Sequence, residues 1–238
     1  MRGSIRLFVS VPLAPGEAPL LDPAQAHYLG AVMRRRTGDE VALFNGSDGE
    51  FLARITMISA KGGRLAVERQ LRPQGAEPGP WLAFAIIKRA AVELLVQKAT
   101  ELGAERLLPF RADRSAAALP NPARLTAIAT EAAEQSERMT RPEIAPRATL
   151  ADLLAAWPAD RPLFAAIERQ AAPMLRSCRK QAGLLVGPEG GFTDRELDLL
   201  ARSPFVRAVS LGPRILRAET AAIAGLALLA APAGEPAV

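Results

Sequence analysis

The sequence predicts an α/β protein in which a mainly parallel sheet, covered by helices on both faces, follows a small β-rich barrel. Residues 1–72 hold short apolar runs separated by turn residues. From Trp81 onward, strand-type runs alternate with helical ones. Between them, Pro73-Gln74-Gly75-Ala76-Glu77-Pro78-Gly79-Pro80 has three prolines and no periodicity, as a linker has.

In the first region the runs are Leu7–Val9, Val41–Phe44, Phe51–Ile55 and Leu65–Val67. Asn45-Gly46-Ser47-Asp48-Gly49 separates two of them and supplies the positive φ angles of a hairpin, so a small antiparallel barrel is expected. In the second region, Trp81–Ile87 reads as a buried strand. Val92, Leu95, Val96, Ala99 and Leu102 mark one helix face, closed by Gly103. Arg106–Phe110 is a strand. Asn121-Pro122 opens a helix carrying Leu125, Ile128, Ala129, Ala132 and Met139. Pro162–Ile167, Gly183–Val186 and Val206–Leu211 are further strands. Thr193 and Glu196 form a capping box. Ala218–Ala231 is apolar almost all round and is expected to be buried on more than one side. The tail Pro232–Val238 is expected to fray.

The chain has 238 residues, 49% apolar and 23% charged, an ordinary globular balance. No long apolar run free of charge or proline suggests a membrane span, and the N-terminus does not read as a signal peptide. One cysteine, Cys178, excludes an internal disulfide framework and a cysteine-cluster metal site. One histidine, His27, excludes His-pair zinc sites, and it reads as structural. No metal is expected, and the expected compartment is the cytoplasm. Net charge is +5, which points mildly to a polyanion such as nucleic acid. The Arg34-Arg35-Arg36 run suits RNA phosphate, although such runs often only face water.

Two loops stand at the carboxyl ends of strands, where open α/β sheets bind ligands. One is Gly187-Pro188-Glu189-Gly190-Gly191-Phe192. The other is Leu211-Gly212-Pro213-Arg214-Ile215-Leu216-Arg217-Ala218-Glu219-Thr220. Glycines let a backbone approach a ligand closely. A dinucleotide G-x-G-x-x-G after the first strand of the α/β region, a P-loop motif and a G-x-S-x-G elbow are all missing.

With these loops the chain resembles the RsmE family, the 16S ribosomal RNA (uracil-N3)-methyltransferases of the SPOUT superfamily. The resemblance rests on Leu184–Phe192 and Ser210–Ala221. It extends to Gln97–Gly103, Arg114-Ser115, Glu131–Ser136 with Arg138 and Pro142, Arg6–Val9, and His27 with Val32–Arg34. Departures occur at Ala91 and Val92, where the family has a basic residue and methionine, and at Leu125, where it has tryptophan.

The resemblance implies a PUA-like RNA-binding barrel over residues 1–72, a linker over 73–80, and a trefoil-knotted SPOUT methyltransferase domain over 81–238. It implies S-adenosylmethionine as cofactor, held by Ile167, Val186, Gly187, Pro188, Glu189, Gly190, Gly191, Leu211, Gly212, Ile215, Leu216, Arg217 and Thr220. It implies a homodimer acting on 16S ribosomal RNA or the small ribosomal subunit. Arg6, Arg34, Arg35, Arg114 and Arg138 are the expected RNA contacts, and Arg217 and Glu219 the expected catalytic residues. Arginine can donate to uracil oxygens but stays protonated, so Glu219 and water are the two candidate bases. Ribose 2′-O-methylation and non-enzymatic ribosome assembly remain the alternative functions.

Overall fold

The computed structural model describes residues 5–115, 118, 120–167, 172–176 and 181–231. Cys178 and the tail Pro232–Val238 lie outside these residues. The chain forms two compact units. One runs through Ala76 and includes Ala133–Thr140. The other comprises Glu77–Ala132 and the chain from Arg141 onward. The division is therefore not contiguous in sequence, unlike the expected one.

In the first unit, β1 (Arg6–Phe8), β2 (Leu20–Leu21), α1 (Pro23–His27), β3 (Glu40–Phe44), β4 (Glu50–Ser59) and β5 (Gly62–Arg72) form one sheet with a short helix. The sheet order is β1-β3-β4-β5-β2. β1 pairs with β3 in parallel, Arg6 opposite Ala42, so the sheet is mixed rather than antiparallel. Alternation of apolar residues fixes which face is buried but not strand direction. The loop between β3 and β4 is a five-residue turn, Asn45–Gly49. The Asn45 side-chain carbonyl accepts from the Ser47 and Asp48 amides, at 3.0 and 2.9 Å. Leu7, Val41, Leu43, Ile55, Leu65 and Val67 form the core with Leu29. α1 was not foreseen. Its start is fixed by Asp22 and Gln25 in a reciprocal cap, and it continues into a π-helical turn, Tyr28–Val32. His27 is exposed at its last position and is not part of the core.

The second unit contains β6 (Trp81–Ala85), α2 (Arg89–Glu101), β7 (Arg106–Arg111), α3 (Pro122–Gln135), β8 (Glu143–Ile144), β9 (Ala148–Thr149), α4 (Leu150–Ala155), β10 (Leu163–Ala166), β11 (Gly183–Val186), α5 (Asp194–Arg202), β12 (Val206–Val209) and α6 (Ala218–Ala230). The last turn of α3 is grouped with the first unit. The strand order is β12-β10-β11-β6-β7-β8, with β9 also on β7, and every pair is parallel.

Successive residues of a strand face opposite sides, and the two cores show it. Leu82, Phe84, Leu184 and Val186 pack with α2 and α6 residues such as Val92, Val96 and Leu226. Ala83, Ala85 and Leu185 pack with Leu153, Trp157 and Leu200 from the other side. Burial on both faces is why these strands read as continuous apolar runs. α2 ends as expected: Gly103 has φ +80, and the Gly103 and Ala104 amides donate back to the Thr100 and Ala99 carbonyls.

Two helices depart from expectation. α3 stops at Gln135, because Glu137 adopts φ +58 and turns the chain, leaving Met139 outside the helix. α6 buries Ala218, Ala221, Ala222, Gly225, Leu226 and Leu229, but Thr220, Ala227 and Ala230 are exposed. One apolar face of α6 is thus left open.

Candidate active site

Three neighbouring parallel strands, β12, β10 and β11, send their carboxyl ends into one groove of about 1260 Å³. The groove is lined by Ile167 after β10, Val186–Phe192 at the end of β11, and Val209–Glu219 after β12. The first turn of α2 closes it with Lys88, Ala90, Ala91 and Leu94.

The loop after β11 is held at both ends. Gly191 donates to the Pro188 carbonyl at 2.9 Å, forming a tight turn. The Phe192 ring lies parallel to Phe110 at 6.5 Å between centroids. It also covers Gly187 so closely that a β-carbon there would sit 2.7 Å from the ring. Thr193 then caps α5, accepting from the Glu196 amide while Glu196 accepts from the Thr193 amide. Buried Glu196 also accepts from the Asp113 amide at 2.9 Å. One guanidinium nitrogen of Arg114 donates to the Gly190 carbonyl at 2.9 Å.

The loop after β12 is anchored at Ser210, whose amide donates to the Pro173 carbonyl and whose carbonyl accepts from the Leu175 amide, both at 2.9 Å. The Gly212 amide donates to the Ser210 hydroxyl at 3.2 Å. Gly212 has φ +124, a conformation that side chains strain.

The groove carries Lys88, Arg114, Arg214 and Arg217 against Glu189 and Glu219, and none of them forms an ion pair among the described residues. α2 and α6 begin on Lys88 and Arg217, neither of which caps its helix with its side chain, so both helix starts present amides without a side-chain cap among the described residues. Glu219 is half-buried in the first turn of α6, and its Oε2 is fully buried with no partner among the described residues. A buried acceptor without a donor costs about 1–3 kcal/mol, which a bound donor would remove.

The expected cofactor residues therefore converge on one groove, except that exposed Thr220 does not line it. Arg217 is exposed and Glu219 half-buried, and both line the groove at the start of α6. Arg114, expected at an RNA surface, lies at this groove. Lys88, Ser210 and Arg214 also line the groove and were not among the expected site residues. Lys88 follows β6, and the strand-end rule that marked the two loops applies to it equally.

Two expected RNA contacts sit elsewhere. Arg6 is buried in the first unit, where it pairs with Glu50 and lies over the Phe44 ring at 4.2 Å. Its remaining nitrogens donate to the carbonyls of Ala133 at 2.9 Å, Glu134 at 3.2 Å and Arg138 at 2.8 Å. Two of these carbonyls belong to the last turn of α3, so Arg6 caps that helix end alongside the Arg138 amide, which donates to the Ala133 carbonyl at 3.1 Å. Arg138 is buried as well, with a guanidinium contact to the Thr140 hydroxyl at 3.4 Å. Both arginines are buried among contacts within this unit rather than presented on its surface. Arg34 is exposed, and Arg35 is half-buried.

A groove at the carboxyl ends of a parallel sheet, lined by two glycine-bearing loops, is where such sheets hold ligands, and the separate mixed-sheet unit fits the two-part organisation that the family resemblance implied. Family comparison agrees: residues 78–230 match the RNA methyltransferase domain, and residues 21–68 match the RNA methyltransferase PUA domain. The chain belongs to the ribosomal RNA small subunit methyltransferase E family. It is 36% identical over 228 residues to that enzyme of Rickettsia conorii, covering 93% of each chain. To the Synechocystis enzyme of the same name it is 35% identical, covering 87% of this chain and 71% of the relative.

Among solved structures, it resembles the ribosomal RNA small subunit methyltransferase E of Neisseria gonorrhoeae bound to S-adenosyl methionine. The TM-score is 0.85 at 26% identity, over 94% of this chain and 96% of that one. A Legionella pneumophila methyltransferase in complex with the same cofactor gives 0.84 at 28% identity, over 94% and 95% of the two chains. Among the described residues, no helix is long and apolar enough to cross a membrane, and no cluster of three or more His, Cys, Asp or Glu could hold a metal.

Proposed function

We propose that the protein transfers a methyl group from S-adenosylmethionine to N3 of a uridine in 16S ribosomal RNA. The observation that carries this is the groove, where two glycine-bearing loops meet Arg217 and a Glu219 oxygen with no partner among the described residues. The groove suits the cofactor on its own terms: it is large, walled by Ile167, Val186, Leu211 and Leu216, and floored by backbone that glycines leave accessible. The cofactor supplies an electrophilic methyl group.

The protein's residues must do the rest. Uracil N3 keeps its proton at neutral pH, and removing it accounts for roughly 3 kcal/mol of barrier at about 1.36 kcal/mol per pH unit. Arg217 donates to the uracil oxygens on which negative charge develops. Glu219 offers an acceptor oxygen for the N3 proton, with water as the competing acceptor. Lys88, Arg214 and the starts of α2 and α6 make the groove attractive to phosphate.

The N-terminal unit supplies affinity for RNA through Arg34 and Arg35, and the C-terminal unit holds the cofactor. The C-terminal chain threads as a trefoil knot, which the family resemblance supports. The protein acts as a homodimer in the cytoplasm. Exposed apolar side chains at Leu94 and Ile215, both on the groove, support a second copy covering this rim, and light scattering in solution tests it.

Incubation with cofactor and small ribosomal subunits from a strain lacking the modification tests the reaction. Nucleoside mass spectrometry should show 3-methyluridine. A 2′-O-methylated nucleoside would assign the ribose reaction, and absence of cofactor binding by calorimetry would favour an assembly factor.

A further inference from the structure

The parallel sheet of the second unit carries another opening on its carboxyl edge. It measures about 370 Å³ and is lined by Arg111 at the end of β7, by Thr149 and Leu150 where β9 passes into α4, and by Arg195 and Leu199 on α5. β9 pairs with β7 in parallel, Arg111 opposite Thr149. The pocket therefore stands at the same edge of the sheet as the groove, beyond β6 in the strand order.

Folding uses the acids of this pocket and leaves its bases. Buried Glu196 accepts from the Asp113 amide with one oxygen and from the Thr193 amide with the other, both at 2.9 Å. Asp113 accepts from the Thr193 hydroxyl at 3.0 Å. Arg111 and Arg195 are exposed, and neither guanidinium forms an ion pair or hydrogen bond among the described residues. Each keeps its planar fork of N–H donors, a shape that matches phosphate.

The chain ties this pocket to the groove at two points. Arg111 lines the pocket and Arg114 the groove, and the stretch between them spans at most about 11 Å. On α5, Glu196 lines the pocket and the next residue, Leu197, lines the groove. A strand whose target base enters the groove thus brings a neighbouring phosphate to the pocket.

We propose that this pocket is a phosphate subsite, in which Arg111 and Arg195 grip the RNA backbone beside the nucleotide that enters the groove. This rests on the methyltransferase reading above and specifies where the C-terminal unit itself holds the RNA. S-adenosylmethionine carries no phosphate, which leaves the RNA as the ligand.

The full chain is assayed on small ribosomal subunits lacking the modification and, for binding, on protein-free 16S ribosomal RNA. Arg111→Gln and Arg195→Gln combined should raise KM about tenfold and leave kcat and cofactor affinity unchanged, because a flanking phosphate is held equally before and during methyl transfer. Both side chains are exposed, so the thermal midpoint should hold. Each single variant should reduce the salt slope of RNA binding by about one unit, and Arg111→Lys, which keeps the charge, should restore it. Arg207→Gln removes the same charge from the edge strand β12 and should keep the wild-type slope. Wild-type KM and slope in the double variant, or an equal loss in Arg207→Gln, would overturn the proposal. So would a loss seen on subunits but not on protein-free RNA, which would assign the pocket to a ribosomal protein. If the wild-type chain methylates nothing, the methyltransferase reading fails, and the salt slope on protein-free RNA still decides the subsite.

Discussion

Charged groups are used in opposite ways in the two units. In the N-terminal unit, the buried Glu50 carboxylate is held by Arg6 and by Arg72 at 2.7 Å, and the other nitrogens of Arg6 are spent on carbonyls. In the C-terminal unit, Lys88, Arg214, Arg217 and Glu219 line the groove with no ion pair among the described residues. A matched buried set fixes structure, because removing one member leaves the others desolvated and unpaired. An unmatched set stores interaction free energy that a ligand can release. Formal charge alone does not separate Arg6 from Arg217; what each meets in the fold does.

The largest expected effect falls on the matched set. Glu50→Gln should destabilise the protein by about 3–5 kcal/mol, read by denaturant unfolding, because it leaves buried Arg6 facing Arg72 without a counter-charge. The pH dependence follows. Burial pushes the Glu50 carboxyl up, but hydrogen bonds and charge from Arg72 and Arg6 outweigh it and hold it below its ordinary 4.5. A depressed carboxyl stabilises the fold above its unfolded value, and that share is lost as pH falls below about 4.5 through the folded value. Acid titration of stability should show this loss in the wild type and not in Glu50→Gln.

Next in size is Arg217→Ala. It should lower the single-turnover methyl-transfer rate by about 10²–10³, by analogy with loss of one oxyanion donor, and leave the thermal midpoint nearly unchanged. A fall in stability with activity per folded molecule intact would move Arg217 into the matched class. Smaller again, Gly212→Val and Gly190→Val should each weaken cofactor binding about tenfold, or about 1.4 kcal/mol, by calorimetry. Valine at 212 strains the φ +124 backbone, and at 190 its β-carbon lies 3.3 Å from the Arg114 side chain.

The groove was legible in the sequence because its parts are local. Each glycine loop directly follows an apolar strand, and the parallel sheet brings those strand ends together. The Thr193 and Glu196 cap was legible for the same reason, its partners lying three residues apart. The surroundings of Arg6 were hidden because its carboxylate partner is 44 residues away and its carbonyl acceptors lie beyond residue 130. A backbone carbonyl has no sequence signature. The grouping of Ala133–Thr140 with the N-terminal unit was hidden for that reason, and the parallel β1–β3 pair because alternation carries no direction. α1 and its π-helical turn were overlooked in a stretch read as β-rich, although Asp22 and Gln25 had the spacing of a helix cap.

If the groove's charges perform the reaction, the pH–rate profile of Glu219→Gln shows it most directly. If Glu219 takes the uracil proton, the variant should fold as the wild type and react slowly at neutral pH. Its rate should recover as pH rises and N3 ionises unaided. A wild-type rate at neutral pH would contradict this, leaving solvent as the proton acceptor and the buried Glu219 oxygen without a catalytic role.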